Sequence, residues 1–64
     1  MLVRYGRKRY EFERAMTVRR LLKRLDIVPE GVIVAVNGSL VTSDTRILPD
    51  DEVEIIRAIS GGDR

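Results

Sequence analysis

Sixty-four residues make one domain, and at this size only about 60% of the unfolded chain's surface is buried, too little to enclose a deep catalytic cleft. The sequence holds no Cys and no His, which excludes disulfides, thiolate nucleophiles, the commonest general base and zinc held by nitrogen or sulfur. The net charge of +2 conceals an asymmetry, because residues 1–24 carry nine cations against two acids and residues 25–64 carry three cations against eight. Such a split either reports on partners or neutralises itself across a small surface.

Leu2 to Tyr5 alternates as a strand, with Val3 and Tyr5 on one face. Gly6-Arg7-Lys8 reads as a short turn. Arg9 to Glu13 is then the return strand of a hairpin, with Tyr10 and Phe12 on one face. Thr17 is placed to cap a helix. Val18, Leu21, Leu22 and Leu25 follow at i, i+3, i+4 and i+7, a single apolar stripe. Arg19, Arg20, Lys23 and Arg24 cover the opposite side. The helix should stop before Pro29. Val32 to Val36 suits a central strand, buried on both faces or on one with a partner surface on the other. Asn37-Gly38 signals a tight turn, after which Leu40-Val41 pairs back briefly. Ser43-Asp44-Thr45 reads as polar loop and Leu48-Pro49-Asp50-Asp51 as a turn. Val53 to Ile59 is the last strand, with Val53, Ile55 and Arg57 on one face and Glu54, Ile56 and Ala58 on the other.

This order predicts an α+β fold, a mixed sheet of four to five strands with one helix packed across one face. If the last strand pairs with the first, the two run parallel. The expected inner face collects Val3, Tyr5 or Phe12, Leu21, Leu22, Leu25, Val34, Val36, Leu48, Val53 and Ile55. Residues 1–59 are expected to form the domain and 60–64 a flexible tail. No apolar run approaches the roughly 20 residues that cross a membrane. Arg4 and Arg7-Lys8-Arg9 interrupt any secretory signal at the start. A cytoplasmic protein with no membrane partner is expected, monomeric on its own.

Gly61-Gly62 follows the last strand. Glycine loses the most backbone entropy on ordering, so the pair is either a frayed terminus or a thin arm that threads a narrow groove. Ile56, Ala58 and Ile59, with Leu2 or Ile33, either form an exposed apolar patch that marks an interface or are half covered by neighbouring strands. Arg57 and Arg4 would rim that patch, or form surface ion pairs of little value with Glu54 or Glu52. The cationic helix face is a platform for phosphates or simply solvated, and three aromatic residues supply little base stacking. Asp50, Asp51 and Glu52 either hold Mg²⁺ or form a solvated turn, and the turn is the stronger reading. No nucleophile and base are paired, so neither catalytic residues nor a metal site are expected.

Ala35-Val36-Asn37-Gly38 with Leu40-Val41, and the run from Leu48-Pro49-Asp50-Asp51 through the last strand to Gly61-Gly62, resemble the ThiS/MoaD sulfur-carrier group of the ubiquitin-like β-grasp superfamily. Small archaeal-type and ubiquitin-related modifiers share that ending. The resemblance covers essentially the whole chain and implies a carrier, not an enzyme. It implies that an E1-like enzyme, using its own ATP and Mg, adenylates the terminal glycine carboxylate. The adenylate then becomes a thiocarboxylate, a sulfur donor for thiamin, molybdopterin or tRNA thiolation, or is attacked by a protein lysine. By this likeness Gly62 holds the activated carbonyl and Gly61 gives it clearance; Ile56, Arg57, Ala58, Ile59 and Ser60, at the base of the tail, are the residues expected to meet the partner. The carrier itself would need no cofactor; a sulfur-accepting synthase or a target protein would receive its cargo. Asp63-Arg64 departs from the family's Gly-Gly ending. A trimming protease is favoured by analogy with ubiquitin-like precursors; a chain that is never activated, or a remnant of cloning, are the other readings. The alternative function is a stand-alone β-grasp RNA-binding module on the basic helix face, although nucleic acid is not the expected partner.

Overall fold

In the computed structural model, which describes residues 1–58, the chain runs β1 (Leu2–Tyr5), β2 (Lys8–Glu11), β3 (Met16–Thr17), α1 (Val18–Arg24), a 3-10 turn (Pro29–Gly31), β4 (Val32–Val36), β5 (Ser39–Val41), β6 (Arg46–Ile47) and β7 (Glu52–Arg57). The main sheet has the order β2-β1-β7-β4-β5. β7 lies parallel to β1, with Val3 opposite Val53 and Tyr5 opposite Ile55. On its other side it runs antiparallel to β4. The α+β layout expected from the element order is the one that forms, with five strands in the mixed sheet and the first and last of them parallel.

Turn chemistry sets the two hairpins. Asn37 and Gly38 adopt φ of +52° and +86°, the paired left-handed geometry whose twist matches the strands it joins. The first hairpin turns in two residues, Gly6-Arg7, and Lys8 already pairs with Tyr5. β2 therefore starts one residue earlier than alternation predicted. Its assigned end at Glu11 is two earlier, although Phe12 still follows the ladder, its amide donating to the Met1 carbonyl at 3.0 Å and its carbonyl accepting from the Met1 amino group at 2.8 Å.

Thr17 caps α1 as its hydroxyl predicted, accepting from the Arg20 amide at 3.2 Å. The helix ends at Arg24, well before Pro29, and the cause is local. Asp26 takes φ +60°, the Ile27 amide donates to the Leu22 carbonyl at 2.8 Å, and the Asp26 amide to the Lys23 carbonyl at 3.2 Å. That double bond pattern around a left-handed residue is the Schellman stop. At the other end, the Val18 and Arg19 amides donate to the Thr45 and Ser43 carbonyls at 2.9 and 3.0 Å. The segment read as polar loop thus satisfies orphan amides of the helix.

A second, two-stranded sheet pairs β3 with β6, Met16 opposite Ile47. It corrects the expected core. Leu48, assigned to the inner face, is 52% exposed, whereas Ile47 is fully buried. Successive residues of an extended chain point to opposite sides, and the pairing with Met16 turns Ile47 inward. Met1, Met16 and Val18 also enter the core beside Val3, Leu21, Leu22, Val34, Val53 and Ile55. Tyr5, Phe12, Leu25 and Val36 are only partly buried at its margin.

Candidate functional site

The end of β7 carries the residues singled out from sequence. Ile56 faces away from the helix and stands directly opposite Ile33 across the β4–β7 ladder. The two are 41% and 42% exposed, so they form a shared apolar surface. On β5, Leu40 extends it from its position opposite Ala35. Leu2 does not join. It pairs with Glu52, four residues back from Ile56, or about 13 Å along a strand.

Arg4 lies on the same outer face, paired in register with Glu54, and their charged groups stand 3.9 Å apart. This is the acidic neighbour that Arg4, rather than Arg57, engages. Arg57 shares the parity of Val53 and Ile55 but lies past the end of the core and is exposed. Ala58 is exposed too, and its amide donates to the Gly31 carbonyl at 3.0 Å. Ile59, Ser60, Gly61 and Gly62 lie outside the described residues.

A groove opens between the end of β7 and the β1–β2 turn. Arg4, Arg7, Lys8 and Arg57 supply its cations, Glu54 its one acid, and Ile56 an apolar wall. Sequence reading passed over Arg7 and Lys8 as turn residues. The available signal was length, since β7 is two residues longer than β1.

The basic helix face is partly consumed within the fold. Arg19 binds Asp44 at 2.8 Å, and the Arg24 guanidinium sits 5.4 Å from the Phe12 ring centre, within cation–π range. Only Arg20 and Lys23 of the four remain without such engagement among the described residues, a poorer platform for phosphates than the sequence implied.

The acidic turn is structural. The Leu48 amide donates to one oxygen of Asp51 at 2.9 Å and the Asn37 side-chain amide to the other at 3.0 Å. The Asn37 side-chain Oδ1 accepts from the Glu52 amide at 2.9 Å. Asn37 thereby ties the β4–β5 turn to the start of β7, a role its dipeptide signal did not reveal. Among the described residues no group of three acids is placed to hold a metal ion. The Leu48 amide, with help from Asn37, holds the Asp51 carboxyl below its ordinary value. A depressed folded pKa adds stability that is present above the unfolded pKa and is lost as pH falls through the folded one. Asp51→Asn is therefore expected to flatten the fall in stability below about pH 4. Denaturant unfolding at several acid pH values checks this, and identical pH slopes for both proteins would refute it.

None of the described helices is long and apolar enough to cross a membrane. A family model described as the ThiS family matches residues 3–62. Among solved structures, the chain is similar to the thiamine biosynthesis protein (ThiS) from Geobacter metallireducens, with a TM-score of 0.69 and 25% identity over 97% of this chain and 100% of that one.

Proposed function

Because the chain belongs to the ThiS family, whose members are small sulfur carriers rather than enzymes, we propose that it carries its sulfur as a thiocarboxylate on Gly62, formed after Asp63 and Arg64 are removed. The observation that carries this reading is the family match itself, which runs to Gly62 and stops there. A carboxylate resists nucleophiles until it becomes a mixed anhydride. The Gly62 carboxylate attacks the α-phosphate of ATP and displaces pyrophosphate; hydrosulfide then attacks the acyl carbon and displaces AMP, which leaves the thiocarboxylate. Both steps take place in an E1-like partner that holds the ATP and Mg²⁺, so the carrier contributes only the carboxylate and a surface by which it is recognised. Gly61 and Gly62 suit that task, since neither has a Cβ to collide with a close wall.

Ile56, Ala58 and Arg57 are the described part of the recognition surface, with Ile33 and Leu40 enlarging its apolar portion. Ile59 and Ser60 continue it along the chain. A sulfur-accepting synthase is the second partner. Thiamin biosynthesis, the process named for the Geobacter protein, is the first destination to test; molybdopterin synthesis, tRNA thiolation and attachment to lysine share the same activated glycine.

Intact mass of the protein purified from its own host tests the reading. Loss of Asp63 and Arg64, with the mass gain of an oxygen-to-sulfur exchange, is the expected result. Full-length, unmodified chain as the sole species would overturn it.

A further inference from the structure

We infer that the groove between the end of β7 and the β1–β2 turn seats an extended acidic segment of a partner protein. Under the carrier reading that partner is the activating enzyme.

The first argument is an open strand edge. The β1–β7 ladder closes with Tyr5 opposite Ile55, and at Gly6, with φ +61°, the chain turns away. β7 continues, held on its other side with Arg57 opposite Val32. Peptide groups along a strand point to alternate sides. The Leu2 amide donates to the Asp51 carbonyl, on the β1 side, while the Ala58 amide donates to Gly31, on the β4 side. Odd-numbered residues of β7 therefore present their N–H and C=O groups toward β1. Arg57 is odd-numbered, and β1 has already ended where it points. Among the described residues no backbone hydrogen bond reaches Arg57 from that side. An unpaired edge is a template for an added strand.

The second argument is charge. Arg7, Lys8 and Arg57 are exposed around this edge. None of the three has an ion-pair partner among the described residues. Arg4 is held only loosely by Glu54 at 3.9 Å. Four cations against one carboxylate select an acidic ligand, and complementary charge speeds encounter and fixes register. Peptide fits better than nucleic acid. Arg57 offers one N–H and one C=O on that side, both of which a peptide group can pair, whereas a phosphodiester chain has no N–H to offer the carbonyl. The lone aromatic at the groove, Tyr5, is partly buried against the core, which leaves little surface for base stacking.

The location gives the contact a purpose. Gly62 is four residues beyond Ala58, at most about 14 Å of extended chain. A partner segment added to the Arg57 edge would prolong the sheet and fix where the reacting arm starts, which reduces the ordering cost of threading it.

The test is an NMR titration of the ¹⁵N-labelled full chain with a blocked hexapeptide alternating glutamate and threonine. An oligouridylate and inorganic tripolyphosphate are titrated in parallel. Saturable amide shifts confined to Gly6–Lys8 and Ile56–Ala58 are expected, weakened by salt. The Arg7→Glu/Lys8→Glu variant, with the rest of its spectrum unchanged, should bind the peptide at least about tenfold more weakly. Absence of shifts, shifts centred on α1, or equal response of the same amides to oligouridylate or tripolyphosphate would overturn the inference. Failure of the carrier reading has a separate signature, wild-type chain without sulfur in its host, and leaves the peptide result standing.

Discussion

Ile47→Ala is expected to destabilise the protein by about 2–5 kcal/mol, the usual range for truncating a buried aliphatic side chain. A domain of this length has a total stability of only about 3–10 kcal/mol, so the substitution removes a large share of it. Leu48→Ala, one residue on, is expected to cost less than about 0.5 kcal/mol, as exposed positions do. The contrast comes from burial: Ile47 is fully enclosed and Leu48 is 52% exposed. The milder Ile47→Val should lower stability by about 0.5–1.5 kcal/mol with the fold intact, and it keeps the comparison measurable if the alanine variant does not fold. Urea midpoints of the three variants decide the matter. A larger loss for Leu48→Ala than for Ile47→Val would mean that the register of β3 against β6 is wrong.

That pair of residues also marks where sequence reading reached its limit. Long signals were legible. The stripe Val18, Leu21 and Leu22 needed only helical spacing, and the run from Val32 to Val36 needed only its β-branched composition. Asn37-Gly38 announced the hairpin by turn chemistry. The β3–β6 pair spans two residues on each side, too short for any alternation to appear, so the sequence reading placed Leu48 rather than Ile47 in the core. Only the long-range pairing of Met16 with Ile47 decides between them. The end of α1 was hidden for a related reason. Pro29 is a visible breaker, but the stop is made at Asp26; Asp tolerates a left-handed backbone better than most non-glycine residues, yet most Asp residues do not adopt one, so its identity alone does not announce the stop.

The candidate site divides in the same way. Ile56 beside Ile33 follows from strand parity once β4 and β7 are neighbours, and parity is readable in sequence. Leu2 dropped out because register, not parity, places it against Glu52. The open edge at Arg57 depends on β7 outrunning β1, a difference between two strand lengths whose ends are the least legible feature of a strand. Arg7 and Lys8 gain meaning only once that edge is placed beside them.

Gly62→Ala, in protein lacking Asp63 and Arg64, is expected to reduce adenylate formation by at least about 100-fold while leaving the thermal midpoint unchanged. The size of the loss follows from geometry, since a displacement of about 1 Å at a reacting centre costs on the order of 100-fold in rate. On the proposed reading, in which Gly62 bears the carboxylate, an added Cβ sits one bond from the reacting group and crowds it in a narrow partner groove. The midpoint should not move, because the core is built from residues between Met1 and Ile55, and Gly62 lies seven positions beyond it in sequence. Ser60→Ala gives the comparison within the arm. It removes one hydroxyl from the proposed recognition surface without adding bulk, and should cost about tenfold at most, the worth of one hydrogen bond. ATP–pyrophosphate exchange with the activating enzyme of the same host reads both variants, and circular dichroism melting reads the fold. Full exchange activity in Gly62→Ala would remove Gly62 as the activated residue, whereas equal loss in both variants would show that the partner grips the arm's side chains instead of requiring clearance at its end.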